Sequence, residues 1–199
     1  MSSARPAKPG QEVEIKLKVE LAPEIWRRLR ALGFQRTSPR HFESNHLFDF
    51  PDQRLGRSGR LLRLRREGGR WVLTFKGPPA RSANYKVREE IESPVASGDD
   101  ARRIFESLAL REVFSYQKFR TTYVPGPHSR PRGHAELTLD ETPIGNFIEL
   151  EGPRRWIDKV ARQFGYTRAD YITASYAVLY FEHCRKRGIR PTHMVFRKY

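Results

Sequence analysis

The sequence has a single cysteine, Cys184, and no apolar run that approaches the length of a membrane-spanning helix. One cysteine excludes a disulfide within the chain and favours a reducing compartment. The residues near the N-terminus also lack the apolar core of a secretory signal. We therefore expect a cytoplasmic protein.

Acidic residues are scarce relative to basic ones. The 199 residues include 38 Lys and Arg against 23 Asp and Glu, which gives a net charge of +15. A balance this basic favours an anionic partner, such as nucleic acid, acidic lipid or a phosphorylated small molecule. The histidines lack spacings typical of metal ligands, such as HxxxH, so none is predicted to hold a metal.

The chain length fits one domain, and we find no internal repeat and no low-complexity segment. Residues 1–10, MSSARPAKPG, are polar and contain two prolines and a glycine, which predicts a flexible tail. We expect the folded domain over residues 11–183. Residues 184–199 are basic and are predicted to form a solvated C-terminal tail.

The stretch QEVEIKLKVE, residues 11–20, alternates apolar and charged side chains without a break. This period of two predicts a β-strand with one apolar face and one charged face. Similar strands are predicted around NHLFDF, YKVREEIE, FSYQKFRTTYV, HAELTLDE and NFIELEGP, and GRLLRLRREGGRWVLTFKGPP predicts a hairpin that turns at EGG.

Helical spacing is found in APEIWRRLRALGF, ARRIFESLAL, RRWIDKVARQFGY and TASYAVLYFEHCRKRG. Strands outnumber helices, and no regular βαβ alternation is present. The fold class predicted is therefore α+β, with an antiparallel sheet or barrel and helices packed outside it.

The polar faces of these strands carry long charged side chains rather than the mixture of Ser, Thr and Gln that is usual on a solvated face. A single such strand is explained by a half-exposed sheet. Here the pattern recurs in strand after strand, and acid-rich strands are separate from base-rich ones. This recurrence favours charged faces that line an interior.

Several short motifs carry a resemblance to a known family. In chain order they are ExExK at Glu12, Glu14 and Lys16; RxR at Arg63 and Arg65; TxK at Thr74 and Lys76; an Arg with alternate acids at Arg88, Glu90 and Glu92; KxR at Lys118 and Arg120; LDETPIGNFIELEG with Asp140, Glu149 and Glu151; and TASYAVL. Together they resemble the CYTH superfamily, the triphosphate tunnel metalloenzymes, from about Glu12 to about Phe181. Asn45 and Leu47 depart from the family, whose members often carry Asp and Tyr there, although Asp49 fits.

The resemblance implies an eight-stranded antiparallel β-barrel, open as a tunnel, whose lumen binds a triphosphate. It implies that basic residues grip the phosphate oxygens, since the arginine fork binds phosphate in bidentate fashion. The predicted triphosphate-binding residues are Arg63, Arg65, Lys76, Arg88, Lys118 and Arg120.

Carboxylates in the same lumen would repel a triphosphate, so they require another purpose. Mg²⁺ or Mn²⁺ takes oxygen ligands and can join a carboxylate to a phosphate. The predicted metal ligands are Glu12, Glu14, Glu90, Asp140, Glu149 and Glu151. Lys16 and Glu14 are the predicted catalytic residues, and Lys16 could either hold a carboxylate or touch phosphate.

Three functions are weighed. The first is metal-dependent hydrolysis of inorganic triphosphate or a small organic triphosphate. The second is a class IV adenylate cyclase that converts ATP to cyclic AMP, which would use the same tunnel. The third is a polyphosphate-binding or RNA-binding module, against which the full set of acids argues. We therefore expect a small-molecule triphosphate as the partner, no nucleic acid, no membrane, and a monomer or homodimer.

Overall fold

The computed structural model of the protein describes residues 11–21 and 23–197. The predicted tail over residues 1–10 lies outside the described residues. Eight strands pair antiparallel and close into a barrel in the order β1-β5-β4-β3-β2-β6-β7-β8. They are β1 (Gln11–Val19), β2 (Phe34–Asp49), β3 (Leu61–Glu67), β4 (Arg70–Lys76), β5 (Lys86–Val95), β6 (Arg111–Pro125), β7 (Glu136–Thr142) and β8 (Gly145–Glu151).

Helices surround the barrel, which confirms the predicted α+β class. They are α1 (Pro23–Ala31), α2 (Arg54–Arg57), α3 (Gly98–Ser107), α4 (Arg154–Gln163) and α5 (Tyr176–Arg187), with a 3-10 turn at Arg168–Asp170. The short α2 was not predicted. It is held by Asp49, whose carboxylate accepts hydrogen bonds from the backbone N–H groups of Leu55 and Gly56 at 3.0 and 2.8 Å.

The hairpin between β3 and β4 turns at the predicted place. Gly68 and Gly69 both have positive φ, 50° and 84°. A two-residue hairpin loop of this kind requires such angles at both positions, and glycine adopts them without a steric penalty.

Strand β2 is much longer than the predicted NHLFDF segment, and it begins at Phe34. The prediction failed because Pro39, which has no N–H to donate, looks like a break in a strand. The structure keeps β2 paired with β6 through register shifts between Arg36 and Ser38 and between Ser38 and His41.

The main hydrophobic core lies between the barrel wall and the helices. Val13, Ile15 and Leu17 point outward from β1 and are 9%, 0% and 0% exposed. They pack with residues of α1 and α4, namely Ile25, Leu29, Trp156, Ile157 and Val160. The opposite parity of β1 must therefore face the barrel interior, as the alternation predicts.

The C-terminal segment is exposed over residues 185–193, but it is anchored at Cys184 and Met194. Helix α5 continues through Cys184, which is buried, to Arg187. Met194 is 0% exposed, and its backbone bonds to Ser115 and Gln117 beside β6, at 3.0 and 2.8 Å. Sequence polarity missed this docking because Met194 lies in a short apolar stretch, MVF, of a basic segment, and so short a stretch gives no periodic signal.

Candidate functional site

The inward faces of the strands enclose a cavity of about 500 Å³ inside the barrel. Every predicted site residue except Asp140 lines it. The cavity is open beside His134 and Glu151, whose side chains are 61% and 31% exposed. At its inner end the side chains of Lys16 and Lys118 are only 4% and 2% exposed. The lining predicted from sequence comprises Glu12, Glu14, Lys16, Arg63, Arg65, Lys76, Arg88, Glu90, Lys118, Arg120, Glu149 and Glu151.

Lys16 sits between two carboxylates on the inward face of β1. Its Nζ lies 3.1 Å from Glu149 Oε1 and 3.5 Å from Glu14 Oε1. Burial alone would lower the pKa of Lys16, but Glu14 and Glu149 outweigh it and raise that pKa. Lys16 therefore stays charged, and in this structure it holds carboxylates.

Glu14 is paired from two sides. Lys86 lies directly opposite it in the β1–β5 register, and the two side chains form an ion pair. Burial would raise the pKa of Glu14, but Lys16 and Lys86 lower it well below the usual range. Glu149 is similar. Burial would raise its pKa, but the charges of Lys16 and Arg120 outweigh burial and hold the pKa well below its usual range. Both acids are ionised and already paired.

A second set of carboxylates, Glu12, Glu90 and Glu151, lacks this balance, and we call it the acidic cluster. Glu12 shares hydrogen bonds with both Glu90 and Glu151. Burial and the hydrogen bond with Glu12 raise the pKa of Glu90 to about 8. Burial and repulsion from Glu12 raise the pKa of Glu151 to about 10. Glu90 and Glu151 therefore retain protons at neutral pH. Burial would raise the pKa of Glu12 too, but the hydrogen bond with Glu90 and the charge of Lys76 lower it. Lys76 contacts both Glu12 and Glu90.

Proton retention is the mark of carboxylates that are brought together without enough positive charge. A hard divalent cation supplies such charge and takes carboxylate oxygens as ligands. The donor set of the acidic cluster therefore fits Mg²⁺ or Mn²⁺ better than the well-paired Glu14 and Glu149 do.

The arginines of β3 form a network with Glu92 of β5. Arg63 Nη2 lies 3.1 Å from Glu92 Oε1 and donates to Thr74 Oγ1, also at 3.1 Å. Arg65 reaches the same carboxylate at 3.4 Å. Glu92 is the more exposed partner, with a side-chain exposure of 39%, so an incoming anion can displace it at low cost.

Asp140 is fully buried and does not line the cavity. Its carboxylate accepts hydrogen bonds from Lys118 at 2.9 Å, Arg120 at 2.7 Å and Tyr176 at 2.7 Å. With those donors in place its oxygens are occupied. In this structure Asp140 orients two basic residues, and its predicted role as a metal ligand has no geometric support.

Arg88 lines the cavity, but its guanidinium N–H groups donate to backbone carbonyls. It donates to the carbonyls of Gly77 at 2.9 Å, Gly59 at 3.0 Å and Lys76 at 3.2 Å. Gly59 lies before β3, Lys76 is the last residue of β4, and Gly77 follows it. Arg88 therefore joins the segments around Gly59 and Gly77. Its predicted contact with phosphate would compete with these backbone hydrogen bonds.

The strand β2 contributes a residue that the sequence analysis missed. Glu43 is 1% exposed and lies 3.4 Å from Lys118. Asn45, one of the departures from the family motif, shares its inward parity and is fully buried. Asp49, which matched the motif, caps α2 instead of reaching the cavity.

Other lining residues were also missed. They are Gln11, Leu61, Lys86, Glu92, Tyr116, His134, Glu136, Thr138, Ser175 and Tyr176. Strand parity could have found Lys86, Glu92, Tyr116, Glu136 and Thr138, because each shares the inward parity of a predicted neighbour on its strand. Tyr176 stands in the SY motif, but only the fold shows that it closes the inner end against Asp140.

Comparison with known proteins places the chain in one family. A family model described as CYTH domain matches residues 10–176. A curated protein of Methanocaldococcus jannaschii, named "Putative adenylate cyclase", is 31% identical over 141 residues, which cover 70% of this chain and 75% of that protein.

Solved structures share the fold. A Vibrio parahaemolyticus protein named "putative adenylate cyclase" superposes with a TM-score of 0.72 at 22% identity, over 84% of this chain and 96% of that one. A Pyrococcus horikoshii protein gives 0.69 at 26% identity, over 86% and 99%. A Hippeastrum protein named "putative adenylyl cyclase", and described as having a dominant triphosphatase activity, gives 0.61 at 19% identity, over 90% and 97%.

Within residues 11–21 and 23–197, no helix is long and apolar enough to cross a membrane.

Proposed function

This chain belongs to the CYTH domain family, and from that membership we propose that it is a metal-dependent hydrolase of inorganic triphosphate or a small organic triphosphate. The observation that carries the proposal is that the lumen has an acidic part and a basic part. The carboxylates of the acidic cluster are only partly balanced by Lys76 and Arg63, while further basic side chains line the rest of the cavity. A cation and a polyanion bound together would balance both parts.

In the proposed complex the acidic cluster of Glu12, Glu90 and Glu151 would hold Mg²⁺ or Mn²⁺. The ion would neutralise charge on the phosphates and lower the pKa of a bound water. Glu14 and Glu149 would keep Lys16 and Arg120 in position.

The phosphate oxygens would be met by Arg63, Arg65, Lys76, Lys118 and Arg120. Phosphoryl transfer depends mainly on positioning and electrostatics, so no Ser, Cys or His nucleophile is required. Arg65 is suited to the outer phosphate because its present partner, Glu92, is exposed and easily displaced.

A class IV adenylate cyclase is the second candidate, and the name of the Methanocaldococcus relative favours it. The two reactions differ in the phosphorus attacked. Hydrolysis uses water at the terminal phosphorus, and cyclisation uses the ribose 3′-hydroxyl at the α-phosphorus. We favour hydrolysis because the lining is charged on nearly every strand, so binding energy comes from phosphate rather than from a base.

Product analysis decides between the two. The purified protein is incubated with inorganic triphosphate, ATP or thiamine triphosphate, with Mg²⁺ or Mn²⁺, and products are separated by chromatography. We expect pyrophosphate and phosphate from inorganic triphosphate at a higher rate than any product from ATP. Cyclic AMP and pyrophosphate as the faster products would establish the cyclase instead.

We also propose a cytoplasmic location, which the free, buried thiol of Cys184 supports.

A further inference from the structure

A second, smaller cavity of about 360 Å³ lies between β2, β3 and β6, and we call it the side pocket. It shares Arg65, Arg120 and Glu136 with the main cavity. Its remaining wall includes His41 and Glu43 of β2 and Glu67 of β3. The proposed triphosphate chemistry uses none of these last three residues.

The three side chains converge. One ligand atom from each of His41, Glu43 and Glu67 lies within 4.8 Å of the other two. Glu43 and Glu67 also stand directly opposite each other in the β2–β3 register. Like charges at directly opposed positions destabilise a sheet unless something positive lies between them.

The histidine is oriented as a ligand. Its Nδ1 lies 2.9 Å from the carbonyl oxygen of Pro39 and 3.2 Å from Ser38 Oγ. Because the carbonyl can only accept, we assign the hydrogen to Nδ1. The other nitrogen, Nε2, faces Glu43 Oε1 at 3.4 Å. A lone pair on Nε2 would repel that carboxylate unless a proton or a cation lies between them. A ring N–H bound to a backbone carbonyl is also the usual support of a metal-bound histidine.

Burial would raise the pKa of Glu43, but Lys118, Arg120 and His41 hold it well below its usual range, so this carboxylate is ionised. The side chain of Glu43 is 1% exposed, and its Oε2 makes no hydrogen bond. Lys118 and Arg120 approach Glu43 only to 3.4 and 3.9 Å. Arg65 Nε lies 3.2 Å from Glu67 without a hydrogen bond, and Arg70 lies 3.7 Å from Glu67.

We propose that His41, Glu43 and Glu67 form a binding site for a divalent transition metal of the Zn²⁺ class. Imidazole nitrogen with carboxylate oxygens is a typical Zn²⁺ donor set, whereas Mg²⁺ prefers oxygen alone. The site therefore differs in metal preference from the acidic cluster in the main cavity. The site borders the main cavity through Arg65 and Arg120, and its test requires no turnover.

The test is nuclear magnetic resonance of protein labelled with ¹⁵N in its histidine rings, titrated with Zn²⁺ and separately with Mg²⁺. We expect Zn²⁺ to shift the Nε2 resonance of His41 and Mg²⁺ to leave it unchanged. His128, on the exposed loop after β6, is the internal reference. If the His41 resonance ignores Zn²⁺ and shows only the charged ring of an ion pair with Glu43, the proposal is wrong.

A matched pair of variants tests the carboxylate. Glu67→Gln should weaken the Zn²⁺ response of His41 at least about tenfold, the loss seen when even a supporting residue of a metal site is removed. Glu106→Gln, on the exposed face of α3, should leave it unchanged. Equal Zn²⁺ affinities in the two variants would show that Glu67 is not a ligand and overturn the three-residue site.

Discussion

At the scale of the residue, charged side chains in the lumen differ by what they already contact. Glu14 and Glu149 are each paired with two cationic groups. Glu12 shares its surroundings with two further acids, Glu90 and Glu151. Substitutions of these acids should therefore have different consequences, although all of them face the lumen from their strands.

Glu12→Gln should lower metal-dependent turnover and cost less stability than the loss of Glu14 or Glu149, because Lys76 keeps Glu90 as an ion-pair partner. We expect at least a tenfold lower rate at fixed Mg²⁺, about the scale of a perturbed metal site. The check is a rate measurement across a Mg²⁺ titration. The control is Glu20→Gln, because Glu20 is exposed and directly follows β1. Full activity of the unmodified protein in excess chelator would contradict the metal requirement.

Glu14→Gln and Glu149→Gln should lose turnover and also stability. Each leaves buried cations without a partner, and breaking a buried ion pair costs about 3–5 kcal/mol. Denaturant unfolding in the absence of metal separates these two from Glu12→Gln. Equal unfolding free energies for all three variants would show that the pairing of Glu14 and Glu149 is not stabilising.

Arg65→Ala should weaken triphosphate binding by about 1.5–3 kcal/mol, the scale of a hydrogen bond to a charged group, and should leave the fold intact. Arg120→Ala should weaken binding similarly but also destabilise the protein, because Arg120 neutralises the fully buried Asp140. Calorimetry in excess chelator, where no turnover is expected, measures the binding. Arg66→Ala is the matched control, since Arg66 is the next residue on β3 and points outward.

At the scale of the element, the helices hold the apolar outer face of the barrel. Helix α4 is fixed by Asp158, which accepts hydrogen bonds from the hydroxyls of Tyr85 and Tyr171 at 2.6 and 3.0 Å. Arg168 pairs with the same carboxylate. One acid thus joins α4, the segment before β5 and the 3-10 turn.

Asp158→Asn should lower the unfolding free energy by about 1.5–3 kcal/mol at neutral pH. Burial would raise the pKa of Asp158, but hydrogen bonds from Arg168, Tyr85 and Tyr171 lower it. Because the folded-state pKa is below the unfolded value of about 3.9, this stabilisation is present above that value and is lost as the pH falls through the folded-state pKa.

The check is denaturant unfolding of the parent and of Asp158→Asn at several pH values between neutrality and acid. The difference between the two proteins should shrink as the pH falls. A difference that stays constant with pH would mean that the carboxylate charge contributes nothing. Asp99→Asn, exposed on α3, is the control.

At the scale of the whole molecule, segments on either side of α5 complete the barrel wall. Ile172, before the helix, exchanges backbone hydrogen bonds with Lys16 of β1 at 2.8 and 2.9 Å. Met194, after it, pairs with Tyr116 of β6. The helix is therefore anchored at both ends, and Tyr176 in its first turn closes the inner end of the cavity.

Met194→Ala should destabilise the protein by about 2–5 kcal/mol, because the side chain is fully buried against Phe114 and Tyr176. Val195→Ala is the matched control. The Val195 side chain, next to Met194 in the chain, is 41% exposed, so its truncation should change the unfolding free energy little. Thermal and denaturant unfolding measure both. Equal stability of the two variants would show that the C-terminal segment is not part of the cooperative fold.

The sequence by itself determined the strands and the side of each strand that faces inward. In β1 the alternation of Val13 and Ile15 with Glu12 and Glu14 is a local property, because successive side chains point to opposite faces of any strand. Motif order then predicted the barrel, and nearly every predicted site residue reached the cavity.

Only the tertiary structure decided which charges pair with which. Asp140 and Glu12 both face inward, but Asp140 accepts hydrogen bonds from Lys118, Arg120 and Tyr176, whereas Glu12 lies beside Glu90 and Glu151. Glu43 and Glu67 come together through the β2–β3 register, and His41 lies two residues before Glu43 on β2. Pairing depends on distances between strands far apart in the chain, and those distances are set by barrel closure rather than by any local pattern.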